Sequence, residues 1–496
     1  MRAPKRRIGA KRGETVQTVC PNCGEHYADV PDSYLGRIVE CPECGSDFFC
    51  MNSADFPSGV AAPQRSINMD KLRCRREKEI RQLLVEENDF RTLWEEWKSK
   101  DDYKAIRVHL LASSLRVTAP LSPLLVSIVR MCARIVGIKA GVEIFVRHAP
   151  DLNAQCFLAG KRIAVVLNSA IVEKFSPPEL AFVIGHEIGH FALRHEEIPN
   201  ATFLDSRGCS LFQKAGFMAW QRAAEVSADR LGLICCRDWR SAVHCMIKLT
   251  SGIASDKVRA DAEIFCQQAD EIVRTRSKGE KQKGAPFPLA WWLESHPFTC
   301  IRAKLLRLFA SSSAFSNAYD VSQPQLDVNQ LESETERLLS LLDPPSFHPD
   351  TTVRKHFREI MLWAMVLTAA ADGHIDEREK ETIIKHCRGL ISRHEVKRVL
   401  SQVVRGNIDI NRKLREIMSK AASFMPTEVR YKLIEDTVAV AAADGVILPE
   451  EERIVFLLAT VLSVPRAFVN NLLYLWKSLV QREVVSIILW KKPKRS

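Results

Sequence analysis

Apolar positions recur at three- and four-residue steps from Asn68 to about Lys104, with Ile80, Leu83, Leu84, Phe90, Leu93, Trp94 and Trp97 set among charges. That spacing predicts an amphipathic helical segment. A second stripe, Leu180, Val183, Ile184, Ile188 and Phe191, predicts a long buried helix entered through Ser176-Pro177-Pro178-Glu179, where a capping box and two prolines mark the first turn. Short apolar runs at Val142 to Val146 and Arg162 to Leu167 read as strands, and the second leads toward that helix. A strand edge beside it would offer an extended peptide a backbone partner. Phe217 to Cys235 reads as a further helix, and helical patterning returns from His356 to about Trp476.

These patterns divide the chain into a basic tail (1–16), a cysteine module (17–50), a Ser/Gly/Pro/Ala linker (51–67), a helical segment (68–110), a mixed α/β region (111–310), a Ser/Asn/Gln/Pro-rich connector with one short helical pattern (311–350), a helical domain (351–480) and a second basic tail (481–496). The fold class expected is α+β, mainly α.

The cysteine module repeats one local design. Cys20-Pro-Asn-Cys23-Gly and Cys41-Pro-Glu-Cys44-Gly each place two thiolates on one side of an ion, and 17 residues separate the pairs. Two such turns complete the closed four-sulfur tetrahedron that zinc favours in structural sites, with a glycine after each pair allowing the tight turn. Cys50 is left over.

The densest chemistry lies in His186-Glu187-Ile188-Gly189-His190. Histidines at i and i+4 share one helix face and can hold one zinc, and the Glu beside them can take a proton from an attacking water. Glu225 and Asp229, four apart on the next helix among small and apolar neighbours, offer a third ligand and a carboxylate to hydrogen-bond a ligating histidine. His195, five residues past His190, falls off the ligand face.

With Ser295-His296-Pro297, Arg302 and the run Asn153-Ala154 to Asn168-Ser169-Ala170-Ile171-Val172, these motifs resemble the HtpX and CAAX-prenyl-protease gluzincin metallopeptidases over roughly 120–310. The resemblance implies a gluzincin-type core in which His186, His190 and Glu225 ligate zinc and Glu187 is the general base. It also implies that Asp229 and Arg302 support the site and that His296 stabilises the oxyanion. The chain departs from many members of that family in carrying no apolar run long enough to span a membrane. Its longest uncharged run is Val117–Val129, against about 18 or more residues needed. Arg274 to Gly284, rich in Lys and Arg, reads as a mobile loop ahead of His296.

Ala369-Ala-Ala-Asp372-Gly373 through Glu379 returns 72 residues later as Ala441-Ala-Ala-Asp444-Gly445 through Glu451. The first half of an EF-hand loop is missing from both copies, so high-affinity calcium binding of that type is not expected. Roughly 351–480 resembles the TerB-like all-helical domain of tellurite-resistance proteins. In that family the carboxylates Asp372, Glu379, Asp444 and Glu451 would form a divalent-metal site. Read from the residues alone, each Asp caps a helix and each Glu is its capping partner.

Composition adds limits. Apolar residues make up 46% and charged residues 26%, an ordinary globular balance with material for several cores. Fifteen cysteines, mostly scattered singly, suit a reducing cytoplasm rather than a disulfide framework, and no apolar segment follows the basic N-terminus as a secretory signal would require. A net charge of +11, partly in the tails, permits nucleic acid or an acidic surface as a partner without requiring one. The reading is a zinc endopeptidase acting on protein or peptide, with one catalytic and one structural zinc and flanking modules for recruitment or regulation. Its rival is a nucleic-acid- or envelope-associated adaptor, or a metal-stress sensor, that uses the peptidase core as a scaffold.

Overall fold

The computed structural model describes residues 15–20, 25–45, 47–50, 68–85, 103–159, 162–198, 211–255, 257–281, 296–319, 324–343, 351–387, 391–406, 409–421, 425 and 427–477. The chain is mainly helical with one small mixed sheet, the α+β class expected. Two antiparallel hairpins form the front module: β1 (Thr15–Val19) with β2 (His26–Pro31), and β3 (Ile38–Glu40) with β4 (Asp47–Phe49).

The central sheet comprises β5 (Leu115–Val117), β6 (Val142–Arg147), β7 (Ala154–Ala159) and β8 (Arg162–Asn168), in the order β5-β6-β8-β7. β6 and β8 run parallel with Val142 opposite Ile163, while β7 folds back antiparallel on β8 with Ala154 opposite Leu167. Ile163 to Leu167 are all buried, as a strand covered on both faces should be. Arg162 to Leu167 is therefore the interior of the sheet, and the edge beside the motif helix belongs to β7, which shows too little alternation of apolar and polar residues to be read as a strand.

Against the sheet lies the motif helix, Pro177–Ala192. Glu179 Oε2 accepts the Ser176 backbone N–H at 2.7 Å and its hydroxyl at 2.9 Å, and Lys248 Nζ sits 2.7 Å from the same oxygen. The motif helix packs along the long helix Leu211–Cys236 at unusually short range. A Cβ on Gly185 would meet Cys235 Sγ at 2.7 Å, and one on Gly232 would meet the Phe182 carbonyl oxygen at 2.7 Å. Glycine at both contact points is what lets the two backbones approach.

Two flanking segments are built into this core. The helical pattern from Asn68 is broken after Leu72: helix Met69–Leu72 ends, and Arg75–Val85 begins after the Cys74 backbone N–H has turned to the Ser227 hydroxyl of the long helix at 3.0 Å. The helix resumes at Tyr103–Ser113; Phe90, Leu93, Trp94 and Trp97 lie outside the described residues. On the other side, the stretch read as a connector contains helix Val328–Leu339, whose Glu332 pairs with Arg230 of the long helix at 2.7 Å. Asp343, just beyond it, accepts from Arg222 and Arg76. Arg274 to Lys281, read as a mobile loop, forms the last turns of helix Ala262–Lys281, and 282–295 lie outside the described residues.

The C-terminal region has its own core, in which helices Thr351–Ala369, Ile410–Ala421, Thr427–Ala441 and Pro449–Val461 bury Phe357, Ile417, Val438 and Val455. Among the described residues no helix is long and apolar enough to cross a membrane. The tails beyond 15 and 477 and the linker 51–67 are outside the described residues.

Candidate active site

Helical spacing puts His186 and His190 one turn apart on the face of the motif helix turned toward the long helix, with their Nε2 atoms 3.1 Å apart. Glu225 enters from the long helix: Oε2 lies 3.4 Å from His186 Nε2, and Oε1 lies 3.4 Å from His190 Nε2. One donor atom from each of the three falls within 4.8 Å of the others. His186 and Glu225 are buried, while His190 and Glu187 are partly open.

Asp229, one turn past Glu225, lies 2.9 Å from His186 Nδ1. Arg302 grips Asp229 with two hydrogen bonds of 2.8 and 2.6 Å and sits 3.3 Å from Glu225. It comes from helix Thr299–Ala310, whose entrance also carries His296, more than half exposed, with Nε2 3.6 Å from Glu225 Oε1. His186, His190, Glu225, Asp229, Arg302 and His296 are thus brought to one place, with Glu187 next to His186 in the motif helix.

The electrostatics fit a cation. Burial alone would lower the His186 pKa, yet the carboxylates of Asp229 and Glu225 push it up to about 10, so the pocket demands positive charge at that ring. Burial works against the charge on Glu225, but Arg302 and the two histidines hold its carboxyl well below the usual range; its buried Oε2 ion-pairs with Arg302 at 3.3 Å without a well-formed hydrogen bond. An ionised carboxylate whose two oxygens each lie 3.4 Å from one of two imidazole nitrogens offers the donor set zinc takes in catalytic sites. Burial also raises the Glu187 carboxyl, partly offset by the histidines. For His296, Glu225 pulls the pKa up, but the partial burial of the ring and the charge of Arg302 outweigh it, and the result is lowered.

Sequence reasoning set His195 aside and never reached Glu77. The left-handed turn at Arg194 (φ 55°) swings His195 back, so that its Nδ1 lies 2.7 Å from His190 Nδ1. On its far side His195 Nε2 is 3.2 Å from Oε1 of Glu77, a wholly buried residue of helix Arg75–Val85. The five-residue step from His190 was the only signal in the sequence, and nothing in it points to Glu77.

In the front module Cys20, Cys41 and Cys44 gather one sulfur each within 4.8 Å, with Cys20 and Cys44 Sγ 3.8 Å apart; Cys23 lies outside the described residues. Gly45 takes φ 66°, the left-handed turn expected after the second pair.

In the C-terminal repeat, Glu379 Oε2 accepts the Asp376 N–H and Glu451 Oε2 the Leu448 N–H, both at 2.7 Å, so each supplies the glutamate half of a capping box, while Asp376 accepts the Arg378 N–H and Leu448 has no side-chain acceptor. Asp372 and Asp444 accept the N–H two residues on (2.8 and 2.9 Å), shaping the Asp-Gly turns rather than capping the helices, and Gly373 and Gly445 take φ 90° and 95° in them. Glu379 and Glu451 touch across the repeat. Among the described residues these four carboxylates are not one of the groups that gather three donor atoms within 4.8 Å.

Fold and site together define a metallopeptidase domain built on an HExxH helix. Residues 122–309 match the peptidase family M48 model, and residues 309–424 match that of a protein family of unknown function, DUF533. The chain is also 26% identical over 190 residues to the plastoglobule-localized metallopeptidase 48, chloroplastic, of Arabidopsis thaliana, a match covering 35% of this chain and 52% of the relative. The chain thus spans about half the length of the curated relative it matches. No solved structure matches it.

Proposed function

We propose that the chain is a zinc-dependent endopeptidase that hydrolyses peptide bonds in proteins or peptides. The observation that carries this reading is the convergence of His186, His190 and Glu225 beside Glu187, in a family M48 domain. Those three side chains would hold the ion, which when bound supplies the Lewis acidity that activates water and polarises the scissile carbonyl.

The chain's own residues do the rest. Glu187, with its carboxyl raised by burial, is suited to take the proton of the attacking water and return it to the leaving amine. Arg302 keeps Glu225 and Asp229 ionised, and Asp229 holds the His186 ring by its far nitrogen. His296, at the mouth of the site, is placed to donate to the developing oxyanion. β7 is an edge strand beside the motif helix, and Glu187 lies near enough to Cys156 on it to affect that thiol's charge, so a substrate strand paired with β7 would run past the base.

The ribbon cysteines Cys20, Cys23, Cys41 and Cys44 would hold a second, structural zinc that folds the front module. For the C-terminal repeat the capping contacts of Glu379 and Glu451 favour a helical docking module over a metal sensor. The scattered thiols suit a cytoplasmic setting.

Glu187→Gln tests the catalytic reading. Zinc content should stay at the wild-type level while cleavage of an unstructured protein such as casein falls by about 100-fold or more. Near-wild-type cleavage by that variant would remove Glu187 as the base, and a zinc-loaded wild type without cleavage would favour the scaffold reading.

A further inference from the structure

We propose that Glu77 and His195 are positioning residues for His190, so that the N-terminal helical segment at 69–85, outside the M48 match, is part of the metal site. This inference rests on the zinc reading above.

The argument is one of proton placement. His190 Nε2 faces His186 Nε2 at 3.1 Å and Glu225 Oε1 at 3.4 Å, so a metal at that point requires a lone pair on Nε2. The ring proton must then sit on Nδ1. That atom lies 2.7 Å from His195 Nδ1, and at this distance one nitrogen donates while the other accepts. With His190 donating, His195 carries its own proton on Nε2, 3.2 Å from Glu77 Oε1, where a carboxylate can only accept. One proton arrangement satisfies all three contacts. In the reverse arrangement His195 would donate from Nδ1, His190 would carry its proton on Nε2 where the metal belongs, and a bare His195 Nε2 would face the Glu77 carboxylate. Glu77 therefore selects the metal-binding tautomer of a histidine it does not touch.

The surroundings hold this chain in place. Glu77 pairs with Arg73 one turn earlier, and Arg73 also donates to the Leu193 carbonyl at 2.6 Å, at the end of the motif helix. Arg81 donates to the Arg194 carbonyl at 3.1 Å and pairs with Glu197 at 2.6 Å, fixing the turn that presents His195. Trp220 of the long helix packs edge-on to the His195 ring, with centroids 5.7 Å apart. Each ligating histidine is thus backed by a carboxylate and an arginine. His186 has Asp229 and Arg302 directly, and His190 has Glu77 and Arg73 through one intervening imidazole.

The test is metal affinity of the full chain, read by cobalt titration, because nitrogen- and oxygen-bound cobalt is spectrally distinct from cobalt on the ribbon thiolates. His195→Phe and Glu77→Ala should each weaken the His186 site by about 10- to 100-fold. Glu77→Gln, which keeps the acceptor oxygen and the size, should fall between them and wild type. The double variant should be no weaker than His195→Phe alone, since the two residues act in series. Asp238→Ala, which removes the carboxylate that accepts the Arg240 and Ser241 N–H groups at the start of helix Trp239–Ser251, outside this chain of contacts, should lower the melting temperature and leave metal affinity unchanged. Affinities within twofold of wild type in folded His195→Phe and Glu77→Ala, additive losses in the double variant, or an equal loss in Asp238→Ala would overturn the proposal. A wild type that binds no cobalt outside the ribbon would instead overturn the zinc reading itself.

Discussion

Arg222, wholly buried in the long helix, donates to Asp343, a residue 121 positions further along the chain, at 2.6 and 3.1 Å. The other oxygen of Asp343 accepts from Arg76, which is also buried. One carboxylate therefore joins the helix that carries Glu225 to segments on both sides of the M48 match. A buried ion pair is weak evidence of net stability, but stripping one partner from it leaves uncompensated charge. Asp343→Asn would take the shared anion from two buried guanidinium groups, leaving Arg76 with Glu336 at 3.7 Å. It should destabilise the domain by about 3–5 kcal/mol, measured as a shift in its denaturant unfolding midpoint.

The glycine contacts between the motif helix and the long helix give a sharper expectation. A methyl group at 232 would collide with the Phe182 carbonyl oxygen, which is backbone and cannot rotate away. Gly232→Ala should separate the two helices, costing about 1–3 kcal/mol of stability and weakening zinc binding, because Glu225 and the histidines sit on opposite sides of that contact. Zinc retention during dialysis against a mild chelator reads the second effect.

Arg302 predicts a pH effect. Burial opposes ionisation of Glu225 and Asp229, and Arg302 is the largest influence holding both carboxyls down. Without it their pKa values rise, so protons compete with the metal at higher pH. In Arg302→Ala the midpoint of acid-induced zinc release should move to higher pH than in wild type. An unchanged midpoint would show that Arg302 does not hold the ligand in its charged form.

Local spacing made much of this legible. His186, Glu187 and His190 share a helix because of a four-residue step, Glu225 and Asp229 repeat that step, and the Cys-x-x-Cys turns need only their own neighbours. What stayed hidden depends on distant pairing. Glu77 meets His195 across 118 residues, and no spacing rule links a glutamate in one amphipathic helix to a histidine beyond another. Helical patterning ran unbroken past Arg73, yet the backbone breaks there because Ser227 takes the Cys74 N–H. β7 went unread because Ala154-Gln-Cys-Phe-Leu-Ala159 alternates too weakly, although pairing with β8 makes it a strand. Nothing in the sequence marks Gly185, and only the position of Cys235 shows why no side chain fits there.

The C-terminal repeat supplies the last prediction. Glu379 and Glu451 meet near Asp372 and Asp444. Burial raises both carboxyls, the neighbouring carboxylates add to the effect, and Glu451 reaches about 8. The folded pair therefore holds a proton that the unfolded chain, with an ordinary glutamate value of 4.5, has already released. The folded state binds more protons between those values, so stability must fall as pH rises from about 5 to 8. Hydrogen exchange on the full chain, corrected for intrinsic rates, should show helices Glu377–Cys387 and Pro449–Val461 losing protection over that range. Glu451→Gln should flatten the dependence, since the amide needs no proton to sit beside Glu379. A divalent cation distinguishes capping from metal binding. If the four carboxylates share an ion, millimolar calcium or magnesium should restore protection at pH 8 in wild type and not in Glu451→Gln. If Glu379 and Glu451 only make their capping contacts, the cation should change neither protein, and the proton alone will govern the domain.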